Sequence, residues 1–151
     1  MLDVACGSGR HARYFAGRGH PVEAVDRSDG SLASLSGVPG VSIRSADLEG
    51  GLWPYAGRRF AGIVVVHYLH RPLFPILLDA LAPGGVLIYE TFAVGNERYG
   101  RPSNPAFLLK HGELLDAVRG RLRVIAYEDL EITDPRPAVI QRICAANPHA
   151  Q

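Results

Sequence analysis

The chain has 151 residues, with 16 Lys and Arg against 15 Asp and Glu and a formal net charge of +1; this is the length of one domain with a core of its own, and the charge is too balanced for a global polyelectrolyte partner such as nucleic acid. No apolar run approaches the roughly 20 residues needed to span a bilayer, and no signal-peptide pattern precedes the first apolar segment. The two cysteines, Cys6 and Cys144, stand in apolar strand-like contexts that suit buried reduced thiols better than a disulfide, so a single cytoplasmic domain is the expectation.

Strand and helix signals alternate from end to end. A first strand is predicted over 2–6, a helix over 9–18 that stops at Gly19-His20-Pro21, and a second strand over 22–26. Ser28-Asp29-Gly30-Ser31 supplies capping residues for a short helix that fades at Gly37. Strand three covers 41–44, and 50–59 is a loop around Trp53-Pro54. Strand four covers 62–67; its Ile63-Val64-Val65-Val66 run has no alternation, as in a parallel strand buried on both faces. A helix over 73–81 and a fifth strand over 86–91 follow. Residues 93–105 are rich in Gly, Asn, Arg and Pro. They are too long for a simple connection and read as a functional loop, mobile and lying over the open edge of a pocket. A helix is predicted over 107–118 despite Gly112. Strands over 123–128 and 138–145 are joined through Asp134-Pro135-Arg136-Pro137, too short for a helical crossover, so they form an antiparallel hairpin.

The strand, Gly-rich turn, helix and second strand of residues 1–26 form the layout that a nucleoside cofactor needs. Gly7 and Gly9 remove side chains where backbone approaches a ligand, and the helix start offers unpaired N–H groups. Asp26 ends the second strand, where a carboxylate can accept both ribose hydroxyls. Gly7-Ser8-Gly9-Arg10-His11-Ala12 fits the dinucleotide fingerprint G-x-G-x-x-G/A. Three features point elsewhere: Asp3 inside the first strand, Asp47 after the third, and Leu81-Ala82-Pro83-Gly84-Gly85 before the fifth. Leu2-Asp3-Val4-Ala5-Cys6-Gly7-Ser8-Gly9 resembles the first motif of class I S-adenosylmethionine-dependent methyltransferases. Asp26, Asp47 and the Leu-Ala-Pro-Gly-Gly run match that family's later motifs in order, so the resemblance covers nearly the whole chain. The Gly9-Arg10-His11 continuation is most similar to small tellurite-resistance-type and related small-molecule methyltransferases.

The resemblance implies an α/β fold: a doubly wound, Rossmann-like seven-stranded sheet in the order 3-2-1-4-5-7-6, with the last strand antiparallel. Members of the family usually carry a helical segment before the first strand. Here the sequence begins inside that strand. The implication is either a start further upstream or a more open site that binds cofactor less tightly than an extended chain would.

The same resemblance implies S-adenosyl-L-methionine as the cofactor. Gly7 and Gly9 would let backbone pass close to it, and Asp26 would hold its ribose. Asp47, with the Leu48 backbone beside it, would accept the adenine amino group, or is a loop carboxylate. Asp3 orients the Gly loop, meets the methionine ammonium through water, or is satisfied structurally. His67, closing strand four, lies where strands one and four flank the reversal of chain direction. It lines the methionine end and the substrate entrance, or is a packed histidine. His67, His70, Glu90 and Tyr99 are candidates for a base, which is needed only when the acceptor must lose a proton. Arg98 and Arg101 favour an anionic substrate, or belong to a solvated basic loop. No metal site is read. The leading function is methyl transfer to a small molecule. The alternatives are an NAD(P)-binding oxidoreductase, which predicts a close contact at Ala12 and a seat for a pyrophosphate, and a non-catalytic S-adenosylmethionine binder.

Overall fold

The computed structural model describes residues 1–149. Its elements run β1 (Leu2–Val4), α1 (Arg10–Gly17), β2 (Val22–Asp26), α2 (Asp29–Ala33), β3 (Val41–Ser45), β4 (Phe60–Val66), α3 (Leu73–Asp79), β5 (Leu81–Phe92), α4 (Glu113–Val118), β6 (Arg123–Ile132) and β7 (Ala138–Ala146). The strands form one seven-stranded sheet in the order β3-β2-β1-β4-β5-β7-β6. β1 to β5 pair in parallel, while β7 is antiparallel to both β5 and β6. This is the order and the handedness of pairing that the family resemblance implies.

The two faces of the sheet are covered differently. Along β2, Val22 and Ala24 join Ala12 and Leu35 in a small cluster under α1 and α2. Val25 points the other way, into the larger core with Ile63, Tyr89, Leu77 and Leu114 beneath α3 and α4. Ile63, Val64 and Val65 are each 2% exposed or less, as the unbroken apolar run requires. Pro75 sits in the first turn of α3, where its missing N–H removes no helical bond.

Three sequence expectations change. First, β1 ends at Val4 rather than at residue 6, because Ala5 has φ 52° and turns the chain out of the sheet. Second, the helix predicted over 107–118 is broken. Pro105–Phe107 is a single 3-10 turn, and α4 begins only after Gly112. Between them Leu109 donates its N–H to Phe92 O at 3.0 Å and accepts from Val94 N at 2.9 Å. Pairing with the end of β5 buries Leu108 and Leu109 and outcompetes the helix. Third, Leu81 is already strand, paired with Phe60, and Ala82-Pro83-Gly84-Gly85 forms a bulge before Val86 pairs with Gly62. A Cβ on Gly85 would stand 2.9 Å from Phe60 O, so the glycine answers to the close approach of β4.

The base of the segment 93–105 is stapled rather than free. Ala93 donates its N–H to Val139 O at 2.9 Å. Asn96, 2% exposed, accepts from Val139 N at 3.1 Å and donates to Pro102 O at 3.0 Å. Among the described residues no helix is long and apolar enough to cross a membrane. Cys6 and Cys144 are free and half-buried.

Candidate functional site

β1 and β4 lie side by side, and the chain leaves them in opposite directions, through α1 to β2 and through α3 to β5. The crevice beyond their carboxyl ends is where open α/β sheets bind ligands. Ala5 and His67, at φ 52° and 56°, are the non-glycine residues with positive φ among the described residues, and they sit at these two strand ends. Each such conformation costs about 1–3 kcal/mol and persists where surrounding structure holds it.

Three clefts run around this edge. The first, about 390 Å³, is lined by Asp26, Asp47, Leu48, Glu49, Tyr68 and Phe107. The second, about 400 Å³, lies under the Gly loop, lined by Asp3, Cys6, Gly7, Arg10, His11 and His67. The third, about 510 Å³, is lined by His67, Phe92, Arg101, Asn104, Phe107 and Arg136. Ala5 borders the first and second, His67 the second and third, and Phe107 the first and third, so the three are contiguous.

Asp26 organises the junction of the first two. Its Oδ2 accepts from Gly7 N and its Oδ1 from Ser28 N, both at 2.9 Å. The carboxylate thus ties the Gly loop to the start of α2. Gly7, at φ +55°, meets no atom within 4 Å of where its Cβ would be, so it faces open space beside the second cleft. Gly9 differs. A Cβ there would overlap the buried Leu35 side chain, with Cγ 2.6 Å away. Packing of the start of α1 therefore requires this glycine whatever its backbone does toward a ligand. Gly9→Ala, at φ +85°, is expected to destabilise the fold by about 2 kcal/mol through strain and overpacking, read as a lowered urea midpoint.

Asp3 is 3% exposed and accepts from Ala12 N at 3.0 Å, beneath the first turn of α1. Burial pushes its carboxyl up to about 7, against the Ala12 N–H, which lowers it, and with Asp26, which raises it further. Cys6 beside it is pushed up to about 12 by burial and by the Asp3 and Asp26 charges, so it is a protonated, unreactive thiol at neutral pH.

Asp47 is exposed and accepts from Glu49 N at 3.0 Å, and that bond and one from Gly50 hold its carboxyl below the usual range. Asp47 and Leu48 together wall the first cleft. His70 stands behind this wall, with Nδ1 3.3 Å from Glu49 Oε1, and lines none of the three clefts. His67 is different: its ring stacks on Phe92 at 4.6 Å and 25°. Burial lowers its pKa, with Glu90 opposing and Arg10 and Arg136 adding to the shift. It is a neutral imidazole near pH 7, able to accept a proton. Glu90 receives the His67 N–H on its backbone O at 2.9 Å and lies 3.9 Å from Arg142. It tunes His67 electrostatically and lines none of the three clefts. Tyr99 donates to Glu131, which also holds Arg98. Both residues are turned to Glu131 on β6, and neither lines the three clefts. Phe107, Arg10, Arg27 and Arg136 line the clefts and were not singled out as site residues from the sequence. Phe107 was misplaced by the helix expected around it.

The family described as a methyltransferase domain matches residues 1–85, more than half of the chain. The chain belongs to that methyltransferase family. Among solved structures, TehB from Haemophilus influenzae is similar with a TM-score of 0.79 at 17% identity, over 97% of this chain. The chain spans 57% of the TehB length. The N-methyltransferase NodS from Bradyrhizobium japonicum, in complex with S-adenosyl-l-homocysteine, has a TM-score of 0.73 at 15% identity, over 98% of this chain and 77% of that one. The cyclase SpnF is similar too, with a TM-score of 0.75 at 16% identity, over 99% of this chain and 74% of that one. No curated protein matches the sequence. These identities carry the fold, and the family match carries the methyltransferase-domain assignment. The residues of this methyltransferase suit that cofactor. Two carboxylates, Asp3 and Asp26, meet at the Gly loop, and Ala12 N–H is already taken by Asp3. A dinucleotide pyrophosphate would lie against the Asp26 charge and, above about pH 7, that of Asp3, whereas a ligand with cationic sulfonium and ammonium groups is attracted by both and favours the ionised form of Asp3.

Proposed function

We propose that this methyltransferase transfers a methyl group from S-adenosylmethionine to a small-molecule acceptor. The observation that carries the choice of cofactor is the buried Asp3 carboxylate under the helix start, where a dinucleotide would place its phosphates. In this reading Asp47 and Leu48 hold the adenine in the first cleft and Asp26 the ribose. Gly7 and Asp3 flank the methionine tail in the second. The bound cofactor supplies an electrophilic methyl carbon whose leaving group, a neutral thioether, needs no acid. The protein's work is alignment and exclusion of water. His67 stands between the second and third clefts, where it can take a proton from an acceptor that must lose one. The free thiols of Cys6 and Cys144 suit a reducing compartment, the cytoplasm.

Calorimetry with S-adenosylmethionine, S-adenosylhomocysteine and NAD tests the reading. Binding of the first two and none of NAD is expected. Tighter binding of NAD would overturn it in favour of an oxidoreductase. Cofactor binding with no S-adenosylhomocysteine formed from any small acceptor would favour a non-catalytic binder.

A further inference from the structure

The arginines divide by position. Arg58, Arg71, Arg98, Arg119, Arg121 and Arg142 each meet a carboxylate. Of the arginines that form no ion pair among the described residues, Arg10, Arg27, Arg101 and Arg136 line the three clefts, whereas Arg13, Arg18, Arg44, Arg59 and Arg123 lie elsewhere. Arg27 and Arg10 belong to the first and second clefts, assigned above to the cofactor. Arg101 and Arg136 remain. They come from separate segments, the 93–105 loop and the β6–β7 link, and converge on the third cleft. Two guanidinium groups that line one cleft can both turn to an anion seated in it, and their planar forks match a carboxylate.

Two phenylalanine rings line this cleft. Phe92 presents a ring already stacked on His67. Phe107 is 52% exposed, although Leu108 and Leu109 beside it are buried at 2% and 0%. An aromatic ring held out of the core on an anchored segment offers a stacking surface.

We propose that the third cleft is the acceptor subsite and takes a hydroxylated aromatic carboxylate, with its ring against Phe92 and Phe107, its carboxylate on Arg101 and Arg136, and its hydroxyl towards His67. This inference rests on the methyltransferase reading and adds the class of acceptor. The hydroxyl oxygen forms the new bond to the methyl carbon. The carbon–sulfur bond breaks with its electron pair kept by sulfur, and the hydroxyl proton passes to the His67 imidazole and then to solvent. Charge balances: a cationic sulfonium becomes a thioether as the imidazole gains the proton. The neutral state of His67 near pH 7 suits this role.

The test uses the protein saturated with S-adenosylhomocysteine, titrated in a calorimeter with 4-hydroxybenzoate and with its uncharged analogue 4-hydroxybenzamide. The acid is expected to bind and the amide to bind at least about tenfold more weakly, from loss of a charge-assisted pair. Arg101→Gln and Arg136→Gln, both at exposed positions, should each weaken the acid about tenfold and leave S-adenosylhomocysteine affinity unchanged. Methyl transfer should give the 4-methoxy product by mass spectrometry. Equal binding of acid and amide, or no binding of either while S-adenosylhomocysteine binds, would overturn the acceptor class and leave the cofactor reading intact. Binding of the acid without transfer to its hydroxyl would overturn the nucleophile and the part given to His67. Failure of S-adenosylhomocysteine itself to bind would overturn both readings.

Discussion

Asp26→Ala is expected to weaken S-adenosylmethionine binding by roughly 100-fold, about 3 kcal/mol. Two losses combine. A charge-assisted contact to the ribose hydroxyls disappears, worth about 1.5–3 kcal/mol. The Gly7 and Ser28 N–H groups, each 2.9 Å from this carboxylate, lose their acceptor, so the Gly loop and the start of α2 lose their tie. Each carboxylate oxygen has a further lone pair beyond the one used here, which is what a diol requires. Asp26→Asn separates the effects, because its single carbonyl oxygen can keep one of the two backbone ties but offers no charge. Its loss should fall between wild type and Asp26→Ala. Calorimetric affinity for S-adenosylhomocysteine, with circular dichroism to confirm folding, reads both. An unchanged affinity in folded Asp26→Ala would remove the ribose assignment.

Asp3→Asn is expected to stabilise the cofactor-free protein at pH 8, by on the order of 3 kcal/mol, and to leave stability at pH 4 nearly unchanged. The carboxyl is pushed up to about 7 by burial, with Asp26 adding to the shift and the Ala12 N–H opposing it. A raised carboxyl binds its proton more tightly in the native state than in the unfolded chain. Between about pH 4 and pH 7 the native state holds a proton that the unfolded chain has released, so stability falls as pH rises through that window. Asparagine keeps an acceptor for Ala12 N–H and removes the titration. Urea midpoints of both proteins at pH 4, 6 and 8 should diverge progressively. A gap that does not grow with pH would mean that Asp3 is ionised throughout. In the proposed function the same substitution should weaken S-adenosylmethionine binding at pH 8, since it removes a negative charge from the cleft proposed to hold the cofactor's cationic end. Stability gained and affinity lost at one position mark a carboxylate kept for ligand rather than for fold.

The architecture was legible in the sequence because it rests on local patterns. The unbroken Ile63-Val64-Val65-Val66 run declares a strand covered on both faces. The short Asp134-Pro135-Arg136-Pro137 link forces the antiparallel hairpin that closes the sheet, and the match of Asp3, Gly7, Asp26 and Asp47 to family motifs placed them on the correct edge. What failed was set by contacts between segments far apart in the chain. The helix expected around Phe107 has acceptable local propensity, but the end of β5 offers Leu109 a strand partner and a buried site. That pairing leaves Phe107 exposed at the mouth of two clefts. Gly9 and Gly85 stand in motifs in the sequence, and only the approach of Leu35 and of the Phe60 carbonyl shows that packing requires them. Tyr99 and Arg98 look free in a polar loop until Glu131 on β6 captures both. The sequence by itself determined the alternation of strands and helices, through periodicity along one chain, and the class of fold and the family, through the resemblance of its motifs, which also put Asp3, Asp26 and Asp47 at one edge of the sheet. The tertiary structure decided which basic and aromatic side chains share a cleft, because Arg101, Arg136, Phe92 and His67 meet only when β4, β5 and the hairpin are folded together.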